Sequence, residues 1–200
     1  MQAYAKGIDL KMIDVGRPDG REEYARKNPL QSTPGLVVEG QLIPDSTAIC
    51  EFLEEAFLDS PLLPERPLER AVVRTIAEVS DHQVLRPALS LLRYIGAQAR
   101  DAEQVGDAIS NIRIGLGWLD RLVPEHSSFA AGESLTLADC MLAPALFTVS
   151  TILDLLQVDN PLVDHPKIRD YWAAMEGDRI AATVLGEMKQ ATRERFGTRG

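Results

Sequence analysis

Two short polar clusters carry the chemistry that can be read first: Thr33-Pro34 and, beyond the run Gly35 to Pro44, Asp45-Ser46. A proline cannot donate to a sheet ladder and is confined to strand starts and edges. Placed before the apolar run Leu36-Val37-Val38, it leaves main-chain groups of Thr33 for a peptide-like ligand to pair with. An X-Pro bond in a tight turn accommodates the cis form because the trans preference is only about 0.5–1 kcal/mol; Thr33-Pro34 is expected to be cis. Asp45 and Ser46 precede Ala48, Ile49, Phe52, Leu53 and Phe57 at helical spacing, where Asp and Ser commonly cap a helix. Free N–H groups at a helix start attract an anion, and a neighbouring carboxylate attracts an ammonium. One zwitterionic amino-acid head group satisfies both. Each feature alone is more often a plain cap or a loop breaker, but at this spacing the two point to one ligand.

The elements that must position these residues run from Asn28 to Glu55: loop, proline-initiated strand, tight turn, second short strand, then the helix opening on Asp45 and Ser46. Upstream, Ala3 to Gly7 reads as a last helical turn closed by glycine. Ile8, Leu10, Met12 and Val15 alternate with Asp9, Lys11 and Asp14, which predicts a half-buried strand. Between Val15 and Asn28 turn residues mix with a short charged helix; Arg17, Arg21, Arg26 and Lys27 there form a solvated face within reach of an anionic ligand. Three prolines in Leu58 to Pro67 end the helical periodicity and mark a linker between domains, placed near Pro61 to Pro67.

Composition narrows the partners. A formal charge of -9 argues against a nucleic-acid or acidic-membrane surface, since phosphate binding requires clustered Lys and Arg. A hydrophobic content of 45% is that of an ordinary soluble globular chain. The partner is then a small molecule or another copy of the chain. Cys50 and Cys140 lie far apart inside apolar helical patterns, which suits buried hydrophobes rather than a disulfide framework or a zinc site; no metal is expected. No signal peptide precedes the first polar residues, so the expected location is cytoplasmic.

From Pro67 onward every element reads as helix. Ala71, Val72, Ile76, Val79, Leu85, Leu89, Leu92 and Ile95 follow one apolar face that Pro87 kinks or splits. Asp81 and His82 lie midway along it, and a lone His there is more often a surface residue. Ile109, Ile112, Leu116, Leu119 and Val123 give the next helix, in which Gly115 and Gly117 are unfavourable unless another backbone packs closely. Thr136 and Asp139 form a capping pattern before Cys140 to Leu153. That run reads as a helix buried on all sides and too short to span a membrane. Two more helices follow His165-Pro166, and the tail Arg193 to Gly200 is expected to fray. There is no internal repeat, Gly-rich phosphate loop or Ser-His-Asp arrangement.

Asn28-Pro29, Thr33-Pro34-Gly35-Leu36, Asp45-Ser46, Phe52 to Glu55 and Gly132 to Asp139 together resemble a cytosolic glutathione S-transferase of bacterial type. The resemblance implies a thioredoxin-like α/β domain over residues 1–62, incomplete at its start, and an all-helical domain over 63–200. It assigns Thr33, beside Pro34, to the cysteinyl part of glutathione through its backbone, and Asp45 and Ser46 to the γ-glutamyl head group. Val before the proline and Glu before the serine are commoner in the family; Thr33 and Asp45 keep the backbone and the carboxylate. Ser32 stands where a Lys or Gln often meets the ligand's far carboxylate. The family's first strand and most of its first helix would lie before Met1, with the Tyr, Ser or Cys that stabilises the glutathione thiolate. Met1 is therefore expected to be an internal methionine of a longer protein. Tyr4 is the one hydroxyl before the predicted strand, at the far end of its helix. The implied function is conjugation or isomerisation of a hydrophobic electrophile, held between the domains against Leu85 and Leu89, in a homodimer. The alternatives are a non-catalytic binding or regulatory protein of the same fold, and a thiol-disulfide oxidoreductase.

Overall fold

A two-residue turn with positive φ at both Glu39 (51°) and Gly40 (80°) matches the twist of paired strands. It closes β1, Leu36–Val38, and β2, Gln41–Ile43, into an antiparallel hairpin with Leu36 opposite Ile43 and Val38 opposite Gln41. The computed structural model describes residues 1–15, 18–30 and 33–197. The chain divides into two units, Gln2–Leu62 and the residues from Leu63 onward. The fold is a thioredoxin-like α/β unit followed by a helical one, as the sequence predicts.

In the first unit α1, Gln2–Ala5, ends at Gly7 (φ 64°), where the Ile8 N–H reaches back to the Ala3 carbonyl at 2.8 Å. Helix α2, Pro18–Lys27, is the predicted charged helix, and α3, Ser46–Ala56, carries the cap residues at its start. The first and third helices are joined by a polar knot. Lys6 Nζ lies 2.9 Å from Glu54 Oε2 and donates to the Phe57 and Ser60 carbonyls, each at 2.8 Å. Glu54 Oε1 accepts the Leu62 N–H at 2.7 Å, and Gln2 Nε2 donates to the Cys50 carbonyl at 2.9 Å. Neither charge faces water, so each depends on the other and on these carbonyls and amides.

The strand expected over Ile8 to Val15 is absent. Those residues have no regular structure, and Met12 (85%) and Ile13 (69%) are exposed. A strand exists through its ladder, and among the described residues β1 and β2 pair only with each other. The alternation in the sequence supplies a face but no partner.

In the second unit α4, Pro67–Val79, runs into a widened π turn, Ser80–Leu85, then α5, Arg86–Ser90, and a tight 3₁₀ turn, Leu91–Tyr94. Pro87 lies just past the wide turn and has no N–H to give to the carbonyl four residues before it. The preceding Arg86 N–H reaches the Asp81 carbonyl, five residues back. Buried Ile76, Ser80, Val84 and Ala88 step by four along this run. An ordinary helix of 3.6 residues per turn would swing such a stripe by about 40° at each step, and the wide turn offsets part of that swing.

Helix α6, Ala102–Leu122, packs on the wide turn through a glycine. A Cβ on Gly115 would come within 2.7 Å of Gln83 Cβ and 2.9 Å of the Gln83 carbonyl oxygen. This is the close backbone approach that justifies a glycine inside a helix; Gly117 has only an ordinary 3.7 Å neighbour in His165. Asp120 of α6 caps α8, Pro166–Gly177, by accepting the Lys167 and Ile168 N–H groups at 2.9 and 3.3 Å. Asp178 caps α9, Arg179–Phe196, by accepting from Ile180 and Ala181. The last helix thus stays regular through Arg193–Phe196, where fraying was expected; residues 198–200 lie outside the described residues.

The capping box at the head of α7, Leu137–Leu156, forms as the sequence predicts. Asp139 Oδ2 accepts the Thr136 N–H at 2.7 Å and the Thr136 hydroxyl at 2.9 Å, while Oδ1 accepts the Ala130 N–H at 2.7 Å. Burial pushes its pKa up, against the lowering effect of the donors from Ala130, Thr136 and Tyr171. The Tyr171 hydroxyl, itself fully buried, is near enough to favour the carboxylate but falls short of a full hydrogen bond. At 20 residues α7 is longer than the apolar run implied and long enough to cross a membrane. What marks it as a core helix is burial, with twelve of its residues inside the unit.

Two outcomes follow for stability. Gly115→Ala should destabilise by about 1–3 kcal/mol in urea denaturation, because the methyl meets backbone. Asp139→Ala should cost about 2–4 kcal/mol by the same measurement, combining a lost cap with two orphaned buried N–H groups.

Candidate functional site

The register of the hairpin decides where the site residues meet. With Leu36 opposite Ile43, the residues next out along each strand, Gly35 and Pro34 on one side, Pro44 and Asp45 on the other, leave the ladder at the same end. Thr33-Pro34 and Asp45-Ser46 therefore both leave the six-residue sheet at its open end. The Thr33-Pro34 bond is cis, and Thr33 and Pro34 are exposed. Among the described residues the Thr33 main chain has no hydrogen-bond partner.

On the facing side Asp45 has extended backbone (φ -122°, ψ 135°) and caps α3, its Oδ1 accepting the Ala48 N–H at 3.0 Å. Its carbonyl accepts the Ile49 N–H at 2.9 Å. The N–H groups of Ser46 and Thr47, at the very start of the helix, have no place in the helical ladder and point out of its positive end. Both Asp45 and Ser46 are half-buried. A carboxylate, a serine hydroxyl and helix-start donors at one place suit a ligand group bearing both signs of charge.

The other candidates lie elsewhere. Cys50 sits one helical turn into α3, and burial pushes its thiol up to about 11, with Glu51 and Asp45 adding to the rise. It is protonated at neutral pH, which removes it as the nucleophile of an oxidoreductase. Cys140 is buried in α7. Tyr4 lies at the C-terminal end of α1, half exposed. Arg21, Arg26 and Lys27 are exposed on α2; Arg17 and Ser32 lie outside the described residues. Asp81 is committed to Arg86 Nε at 2.8 Å, and exposed His82 stands 3.1 Å from Glu78. The sequence reading missed what buttresses the loop before Thr33: buried Asn28, whose Oδ1 accepts the Leu30 N–H at 2.9 Å. Its place in an Asn-Pro pair was the available signal.

A thioredoxin-like unit whose hairpin end carries a cis-proline and an acidic-serine helix start, joined to a helical unit, is the two-part arrangement of the transferase family that the sequence resembles. The comparisons name the family. Residues 2–61 match the glutathione S-transferase N-terminal domain and residues 84–174 the glutathione S-transferase C-terminal domain. The chain is 31% identical to a maleylacetoacetate isomerase of Dictyostelium discoideum over 147 residues, 70% of this chain and 66% of that protein. It is 31% identical to a probable maleylacetoacetate isomerase of Caenorhabditis elegans over 172 residues, 80% of each. Among solved structures, a bacterial maleyl pyruvate isomerase described as a zeta-class glutathione S-transferase superposes with a TM-score of 0.71 at 25% identity, covering 90% of this chain and 87% of that one. The chain belongs to the glutathione S-transferase family and is transferase-like in kind.

The Cys50 thiol, outside the site, has a testable reactivity. With a pKa of about 11, its thiolate fraction at pH 7 is about one in ten thousand, against about three in a hundred for an ordinary cysteine. Alkylation of the folded protein by iodoacetamide, followed by peptide mass spectrometry, should label Cys50 about three hundredfold more slowly than a free thiol, with the rate rising up to about pH 11.

Proposed function

We propose that this chain binds glutathione at the open end of the hairpin and, with it, isomerises or conjugates a hydrophobic or unsaturated electrophile. The observation that supports this most directly is the register that puts Thr33-Pro34 and Asp45-Ser46 at the same end of the hairpin. The exposed Thr33 main chain pairs with the backbone of the cysteinyl residue, as a short strand would. Asp45 holds the γ-glutamyl ammonium, and the Ser46 hydroxyl with the first N–H groups of α3 holds its carboxylate. These contacts orient the tripeptide and reduce the freedom lost when thiol and electrophile meet.

Glutathione supplies the thiolate that adds to an electrophilic carbon. Isomerisation is favoured as the specific reaction because the relatives named above are maleylacetoacetate and maleyl pyruvate isomerases. A homodimer is the proposed assembly, and a mass twice that of the chain in light scattering after size exclusion checks it.

Calorimetric titration of glutathione tests the site. Asp45→Asn keeps a cap acceptor for α3 but removes the charge opposite the ammonium, so affinity should fall about tenfold while thermal stability changes little. Unchanged affinity would remove Asp45 from the site. Turnover of maleylpyruvate in the presence of glutathione, followed by its ultraviolet absorbance, separates an isomerase from a protein that only binds.

A further inference from the structure

The loop that delivers Thr33 is held from both ends by one tyrosine. Tyr24 lies on α2, one turn before Asn28. Asn28 is fully buried, and its Nδ2 donates to Tyr24 Oη at 2.9 Å while its Oδ1 accepts the Leu30 N–H. Beyond the loop, the same phenol lies against Gly35, the residue after Pro34. A Cβ on Gly35 would collide with the Tyr24 hydroxyl, stand 3.1 Å from Tyr24 Cε2 and come within 3.0 Å of Leu42 Cδ1. The backbone of Gly35 is outside the left-handed region, so space for the phenol, and not conformational freedom, accounts for the glycine.

We propose that Tyr24 is a positioning residue for the ligand, its phenol fixing residues 28 and 35 and thereby the placement of the Thr33 main chain between them. The proposal rests on the reading of Thr33 as the main-chain partner of glutathione. The Thr33 end of the loop lies outside the ladder, which begins at Leu36, so side-chain contacts at its flanks must supply the order that strand pairing supplies elsewhere. A ligand that pairs with a backbone already in place avoids the entropy of ordering it. Tyr24→Phe keeps the ring but removes the acceptor of a buried amide and the contact with Gly35. Gly35→Ala keeps the hydroxyl but drives it off its seat.

Calorimetric titration of glutathione into the full chain, at a temperature where circular dichroism shows each variant folded, tests this. Tyr24→Phe and Gly35→Ala should each weaken binding about tenfold, and the double variant should be no weaker than Gly35→Ala alone, because without the hydroxyl the collision is gone and only the lesser contacts with Leu42 Cδ1 and Tyr24 Cε2 remain. Gly115→Ala, destabilised in the helical unit, should bind as the wild type does, which separates positioning from stability. Wild-type affinity in Tyr24→Phe, or losses that add in the double variant, would overturn the proposal. If Tyr24→Phe does not fold, Gly35→Ala decides it, wild-type affinity there overturning the proposal. A wild-type chain that takes up no glutathione overturns the functional reading itself, and the first titration alone reveals that case.

Discussion

One register, Leu36 against Ile43, holds the candidate site together. A shift by a single residue would turn every side chain of the pair to the opposite face and separate the proline from the aspartate. Positive φ at both turn residues, Glu39 and Gly40, guards that register from the closed end. At the open end two different interruptions stop the ladder: a proline without an N–H, and an aspartate whose side chain bonds the helix instead. The Thr33 main chain is thereby left outside the sheet. The small sheet is thus less a core than an alignment device.

Charges placed where water is scarce make the joints of both units. Lys6 and Glu54 tie α1 to the end of α3 and to the residues that follow it. Asp139 ties the head of α7 to the loop at Ala130, and Asp120 caps a helix other than its own. In each case the carboxylate accepts main-chain N–H groups, which is what makes its burial tolerable. Such joints add specificity more than raw stability: a hydrophobic contact tolerates sliding, and a carboxylate bonded to two amides does not.

Much of this was legible along the chain because the signals are local. The cap at Asp45, the proline-initiated strand, the capping box at Thr136 and Asp139, and the need for a close neighbour at Gly115 each depend on a few adjacent residues. Features that depend on partners were not legible. Ile8 to Val15 has the pattern of a strand, yet pairing lies outside a strand's own sequence. The tail beyond Arg193 looks polar and loose, but Asp178 starts its helix well and the helix carries through to Phe196. The knot of Lys6 with Glu54 and the contact of Tyr24 with Gly35 join residues with no shared periodicity. Pro87 announced a disturbance in the long helix, though not its form.

That form has a consequence for how this region tolerates change in length. The wide turn Ser80–Leu85 amounts to one residue more than an even helix would hold, and it sets the rotational phase of everything up to Tyr94. Losing a single residue there would restore an ordinary helix and leave Ala88 and Leu91, both sealed in the interior, near their present rotational phase. The wide turn is thus the place where this long helical run can shed one residue without turning its buried side chains outward.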